Sequence, residues 1–469
     1  MRNKFYTLCG RAKYLEQLNK SYVDQAASLT VLYGRRRIGK TFLLKEFIKD
    51  KPHLFFEGIE GGKTPQQLQQ LASQLYNQTQ NPLLQRFNPK NWNEFLDTLL
   101  LVIPNDKKFI LVFDEFQWLA AGRSLLVSLF KIYWDNQFKN RKLQIILCGS
   151  IAHFMVKKVI KSKALYGRIS SELHMTELLP QEARQMLAMR GSLEALNYLL
   201  TFGGVPKYLE EIEINKSFEQ NIESLYFSRT SFFYNEIEKI FFSQFKESKT
   251  YQRIVLILST APHSLEELAK KLKMASGGGL KDYLHNLELA QFVLSYRPMT
   301  KKSTKTIKYK LTDEYLRFYY RFIRPYKKQI DQDRTSGIFA TQVKTIWKPW
   351  FGFAFENFCF KNALVLAEKM GFAEYVKDFG PYYASRDSAS AQFDLVYTRT
   401  DSVMTICEIK YAQSEIEMDV VLAMQEKLLI LGSTELTIEK VLVTTVGVSA
   451  AVKESRFFHH VMTLKEIFE

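Results

Sequence analysis

Cysteine is scarce in this chain. There are four in 469 residues, Cys9, Cys148, Cys359 and Cys407, with no CxxC pair among them. That spacing excludes a disulfide scaffold and a structural zinc site, and it fits the reduced thiols of a cytoplasmic protein. Long apolar runs are missing as well. The most apolar stretches, such as residues 109–113, are strand-sized, far short of the ~20 residues a membrane-spanning helix needs. The first residues pass through Lys4 into an apolar run too short for a signal-peptide core. The seven histidines show no HxxxH or HExxH spacing, and no GxSxG string occurs, which removes zinc-peptidase and nucleophile-elbow chemistry.

What is present is ordinary for a globular protein: 46% apolar and 24% charged residues. The length calls for two to four domains. The formal net charge is +16. It is not spread evenly: residues 246–328 hold 18 Lys and Arg against 7 Asp and Glu. A concentrated basic segment points to a polyanionic partner. Aromatics reach 14%, with a dense run at residues 318–322, a pattern of core or interface packing rather than base stacking.

The first two hundred residues alternate short apolar runs with longer amphipathic segments. Strands are predicted at residues 29–33, 53–56, 108–113, 143–148 and 172–175. Short apolar strands separated by helices build a mostly parallel sheet covered on both faces.

Gly34-Arg-Arg-Arg-Ile-Gly39-Lys40-Thr41 fits GxxxxGK[ST], follows the first strand and opens a helix. The glycines let backbone N–H groups curl around phosphate oxygens, and the helix N-terminus adds its dipole. Lys40 is expected to reach the β- and γ-phosphates of ATP, and Thr41 to bind Mg²⁺. Asp114 and Glu115 close the apolar run at 109–113. At a strand tip Asp114 would hold the Mg²⁺ shell, and Glu115 would polarise the attacking water. Ser150, just past another strand, could sense the γ-phosphate or cap the next helix. Arg168 is a candidate source of transition-state charge, with a structural ion pair as the alternative.

These pieces carry a family resemblance. Cys9-Gly10-Arg11, Tyr33 to Thr41, Phe113-Asp114-Glu115-Phe116-Gln117, Leu147-Cys148-Gly149-Ser150, Leu165-Tyr166-Gly167-Arg168 and Gly203-Gly204-Val205-Pro206 resemble, in order, the archaeal-type P-loop ATPases related to AAA+ and signal-transduction NTPases. The resemblance implies an ATPase with a helical lid carrying the Gly-Gly-Val-Pro motif.

In the basic segment, Ser264 and Glu267 form a capping box ahead of a helix at 265–272. A glycine turn leads to a second helix at 280–289, then to two short strands at 292–296 and 307–311. Two helices across a turn followed by a hairpin read as a winged helix-turn-helix. Lys281 and His285 would face a DNA major groove, and Lys301, Lys302, Lys305, Lys308 and Lys310 would meet phosphates from the wing. A winged helix used only as a protein–protein joint is the alternative.

Near the C-terminus, strands are expected at 393–398 and 403–411. Alternation puts Glu408 and Lys410 on one face, and the neighbouring strand can bring Asp394 close. Two carboxylates can hold Mg²⁺ while a lysine orients water. The pattern Asp394…Glu408-x-Lys410 resembles the PD-(D/E)XK nuclease superfamily. Glu356 matches the acidic residue on that domain's first helix and is a further candidate metal ligand. An ordinary cross-strand salt bridge is the alternative.

The expected architecture is α/β. A P-loop parallel-sheet ATPase with its lid (1–215) leads through a helical connector (216–250) to a winged helix-turn-helix (251–335) and a restriction-endonuclease-like domain (340–469). The expected function is an ATP- and Mg²⁺-dependent ATPase that binds DNA and carries a metal-dependent nuclease site. The alternative is an ATP-switched DNA-binding or scaffold protein with a catalytically silent C-terminal domain. A cytoplasmic protein with no membrane partner is expected, and the oligomeric state, a homo-oligomer included, stays open.

Overall fold

Strands that are apolar on both faces must be covered on both faces, and the first compact unit, which ends at Glu177, is built that way. The computed structural model describes residues 8–122, 124–300, 306–332, 338–386 and 388–469. Five strands, β1 (Ser28–Tyr33), β2 (His53–Glu57), β3 (Phe109–Asp114), β4 (Leu143–Gly149) and β5 (Ser171–His174), lie in the order β2-β3-β4-β1-β5. All pairings are parallel. Every strand end falls within one residue of the sequence expectation.

The period-2 alternation divides the core. Leu29, Val31, Leu111, Phe113, Ile145 and Leu147 pack with residues of the helices Thr64–Thr79 and Trp92–Val102. Leu32, Ile110, Val112, Ile146 and Cys148 pack with Leu18, Leu43 and Leu44 of the helices Ala12–Val23 and Lys40–Ile48. β3 and β4 are buried from end to end. The sheet therefore presents only its strand tips to a ligand.

The second unit runs from Leu178 to Glu469. Its helical part is held by aromatic side chains. Tyr208, Tyr226 and Tyr315 each place their rings 4.8–5.3 Å from that of Phe233, a spacing at which ring edges and faces attract. Phe318 and Phe322 pack edge-on to Trp350, so the aromatic run at 318–322 is packing. Three helices, Ser248–Leu258, Leu265–Leu272 and Gly278–Leu289, accompany an antiparallel sheet of β6 (His263–Ser264, between the first two helices), β7 (Val293–Tyr296) and β8 (Lys308–Leu311) in the order β6-β8-β7.

The long helix Lys344–Lys361 then leads to a mixed sheet. Its strands are β9 (Val376–Arg386), β10 (Ala389–Arg399), β11 (Val403–Lys410), β12 (Thr437–Thr444) and β13 (His460–Met462), in the order β13-β12-β11-β10-β9. Tight turns make β9, β10 and β11 antiparallel. The helices Asp419–Leu431 and Ala450–Ser455 provide the crossovers that make β11, β12 and β13 parallel. All four cysteines are free thiols. Among the described residues no helix is long and apolar enough to cross a membrane.

Candidate functional site

The phosphate loop leaves β1 at Tyr33 and re-enters helical structure at Lys40. Gly39 sits at φ 88° as the helix N-cap, a left-handed conformation that glycine adopts without a steric penalty. At Gly34 the constraint is space: a Cβ there would overlap the Met175 carbonyl oxygen. Arg37 lies inside the loop at φ 72°, strain of the kind stored at binding loops.

Lys40 is 6% exposed. Its ammonium donates to the carbonyl oxygens of Gly34 at 2.9 Å and Arg35 at 2.8 Å. Burial pushes the Lys40 pKa down, against the pull of Cys148, Glu115 and Asp114. A buried ammonium tied to neutral carbonyls is poised for anionic oxygens, which bind it about twice as strongly.

Asp114 closes β3 and is buried. Its Oδ2 accepts from Thr41 Oγ1 at 2.5 Å, and its Oδ1 accepts from the Glu115 N–H at 2.8 Å. Glu115 turns the chain at φ 50° with no side-chain cap on the following helix, so the pair is not a capping device. Glu115 Oε2 accepts from Ser150 Oγ at 2.8 Å and from the Gln117 amide. Ser150 therefore serves Glu115, and the next helix has Ile151 at its N-cap position with no side-chain cap. Gly34, Gly39, Lys40, Thr41, Asp114, Glu115 and Ser150 all gather at the carboxyl ends of β1, β3 and β4. Hydroxyl, carboxylate and buried ammonium are the donor set that suits a nucleotide polyphosphate with a hard divalent cation.

Arg168 is placed otherwise. Its guanidinium forms a two-pronged pair with Asp135, both contacts at 2.8 Å, and donates to the carbonyls of Ala164 and Tyr166. That pair holds the Asp135 carboxyl below its ordinary range. Gln117, buried beside Ser150, has no role assigned by sequence reasoning. Its one signal was a lone amide in the apolar helix Phe116–Leu119.

In the second unit the Ser264 capping box forms in both directions, at 3.2 and 2.7 Å. Lys281 and His285 are exposed, while Leu280, Leu284 and Leu287 of the same helix are buried. Lys301, Lys302 and Lys305 lie outside the described residues. Lys310 departs from the wing expectation. Its ammonium stands 4.6 Å from the centre of the Phe360 ring. Burial pushes its pKa down to about 8, against the pull of Glu356 and Asp394.

The pairing Leu395↔Cys407 sets Asp394 opposite Glu408. Asp394 Oδ2 accepts from the Ile409 N–H at 3.2 Å. Burial raises the Asp394 pKa, and Glu408 raises it further. Glu408 is 1% exposed and holds two cations, Lys410 at 2.8 Å and Lys427 at 2.7 Å. Glu356, on the Lys344–Lys361 helix, is pushed up to about 7 by burial and Asp394, against Lys310, Lys410 and Arg317. The structure thus assembles the expected side chains in one electrostatic cluster. Yet among the described residues no three His, Cys, Asp or Glu side chains form a group able to hold a metal ion. Asp394 and Glu356 lie in this cluster beside Glu408, whose charge is offset by two lysines. Lys427, on the Asp419–Leu431 helix, is the second cation.

Known proteins match both the N-terminal and the C-terminal parts of the chain. A family model described as an ATPase domain predominantly from Archaea matches residues 8–212, and one described as archaeal and bacterial proteins of unknown function matches residues 319–421. An uncharacterized protein of Methanocaldococcus jannaschii is 27% identical over 364 residues, 77% of this chain and 78% of the relative. An uncharacterized ATP-binding protein of the same archaeon is 46% identical over 41 residues, 9% of this chain and 70% of that protein. Among solved structures, a Walker-type ATPase of Pyrococcus abyssi shares the fold with a TM-score of 0.51 at 20% identity, over 68% of this chain and 98% of that one. Residues 8–212 of this chain are therefore a P-loop ATPase domain, similar to the ATPase domain found predominantly in Archaea.

Proposed function

We propose that this protein binds ATP with Mg²⁺, hydrolyses it, and uses the cycle to switch a DNA-binding C-terminal part. The observation that carries the reading is the convergence of Lys40, Thr41, Asp114 and Glu115 on one edge of the sheet, with Thr41 and Asp114 in direct contact. Lys40 binds the β- and γ-phosphates. Thr41 and Asp114 would hold a divalent ion, which would supply positive charge to offset that of the phosphates. Glu115 orients the attacking water, and Ser150 fixes Glu115. DNA is the partner favoured by the basic segment and by the exposed Lys281 and His285. Helix, helix, helix and antiparallel hairpin is the arrangement a winged helix requires, which supports that reading of residues 248–311. The C-terminal carboxylates are read as an ion-pair cluster.

A second reading, metal-dependent phosphodiester cleavage, draws on one observation: Asp394 stands opposite Glu408, with Lys410 on the same face. The residues present do not form a cation cage, and no step is derived through one.

The deciding experiment is phosphate release from ATP by purified protein, with and without Mg²⁺, beside the Lys40→Ala variant. Mg²⁺-dependent release lost in the variant is the expected result. Equal release by the variant overturns the reading.

A further inference from the structure

Between the tips of β3 and β4 lies a four-bond network that the P-loop motif does not account for. Gln117 is 1% exposed, as is Ser150. The Gln117 side-chain carbonyl accepts the Ser150 backbone N–H at 3.1 Å, and its amide nitrogen donates to Ser150 Oγ at 3.2 Å. The same nitrogen donates to Glu115 Oε2, which also receives the Ser150 hydroxyl at 2.8 Å. Gln117 thus commits both ends of its amide to one strand tip while gripping the carboxylate of the other.

Space is reserved for it. A Cβ on Gly149 would crowd Gln117 Oε1 and the Met155 sulfur. Glu115 itself is held in a left-handed backbone conformation at φ 50°, which directs the short helix carrying Gln117 back beneath it. Both donors converge on Oε2, which ties that oxygen to the β4 tip and leaves Oε1 outside the four-bond network.

We infer that Gln117 is a positioning residue for Glu115: it locks the carboxylate to the β4 tip through Ser150, so that Glu115 meets the attacking water in a fixed orientation. The inference rests on the reading of Glu115 given above. Hydrogen-bond donors to a carboxylate stabilise its charged form and do not strengthen it as a base. The contribution is therefore geometric, and a small misplacement of a catalytic group is enough to cost about a hundredfold in rate. Gln117 touches neither the phosphate loop nor Thr41 in this network, so nucleotide affinity is a separate quantity.

The test is a double-mutant cycle in the full-length protein, reading single-turnover ATP hydrolysis and, separately, the dissociation constant of a fluorescent ATP analogue. Gln117→Met keeps the side chain's length and removes every hydrogen bond. It should lower the hydrolysis rate about a hundredfold while leaving the dissociation constant within about twofold. In a Glu115→Gln background the same change should add almost nothing, because groups that act as a unit are non-additive. A full additional loss in that background overturns the inference, as does a wild-type rate in Gln117→Met. If Gln117→Met does not fold, Gln117→Glu serves. It retains an acceptor for the Ser150 N–H, sets a second negative charge against Glu115, and should likewise lose rate at unchanged affinity; an unchanged rate overturns the inference. A Glu115→Gln protein that hydrolyses ATP at the wild-type rate removes the reading of Glu115 itself, and is told apart by that single variant.

Discussion

Thr41 and Asp114 touch: the Thr41 hydroxyl at the start of the phosphate-loop helix donates to the Asp114 carboxylate at the tip of β3 across 2.5 Å. The two residues stand 73 positions apart in sequence. Their contact joins the halves of the nucleotide site, and it sets up the first prediction.

Glu115→Gln should bind ATP as the wild type does and hydrolyse it at least about a hundredfold more slowly, since general acid–base catalysis typically supplies about 10²–10⁴-fold. Thr41→Ala should weaken the dependence of ATP binding on Mg²⁺. Equilibrium binding at varied Mg²⁺, together with phosphate release, checks both.

Gly204→Ala should destabilise the second unit by about 1–3 kcal/mol, the usual cost of overpacking. A Cβ there would overlap the Leu178 carbonyl oxygen, while the Gly204 carbonyl accepts the Leu178 N–H at 2.8 Å. A lowered urea midpoint with an unchanged slope is the expected signature.

Stability should depend on pH through Glu356 and Lys310. Burial raises the Glu356 pKa from 4.5 to about 7. Between those values the folded state keeps a proton that the unfolded chain has released, so stability falls as pH rises. Lys310 is lowered from 10.5 to about 8. Between those values the unfolded chain holds a proton that the folded state has released, so stability rises with pH. Urea midpoints in metal-free buffer should pass through a minimum near neutral to mildly alkaline pH, and Glu356→Gln should flatten the acid limb.

Lys281→Ala and His285→Ala should weaken binding to DNA. Changing Lys301, Lys302 and Lys305 together to Ala should weaken it alike for all sequences. The slope of log affinity against log salt should shrink by about one for each phosphate that is no longer neutralised. A titration over several salt concentrations measures both effects, and an unchanged slope would remove the lysines from the interface.

With Mg²⁺ or Mn²⁺ the wild type should leave duplex, single-stranded and branched DNA uncut, with or without ATP, because Glu408 is held by Lys410 and Lys427. Cleavage that disappears in Asp394→Ala and Lys410→Ala would establish the nuclease reading in place of the ion-pair cluster.

The chain's own sequence determined the strands of the first unit and the phosphate loop, because both are local. Five apolar runs can be satisfied only as buried strands, and glycine spacing with a Lys-Thr helix start dictates the loop's conformation within eight residues. The Ser264 capping box was legible for the same reason, since its partners lie three residues apart. What the sequence could not state is which polar groups meet across the fold. Gln117 acquires its role only because β4 lies beside β3 and brings the Ser150 tip against it. Arg168 could serve a phosphate or a carboxylate until Asp135 was placed against it. Lys310 alternates along β8 like any wing lysine, and only the packing of Phe360 and Glu356 beside it turns it inward. Glu408 carries two lysines, one of them nineteen residues away on a crossover helix. Hydrophobic period and loop chemistry are properties of neighbours in sequence. The neutralisation of a buried charge depends on neighbours in space, and those are fixed only when the sheets close.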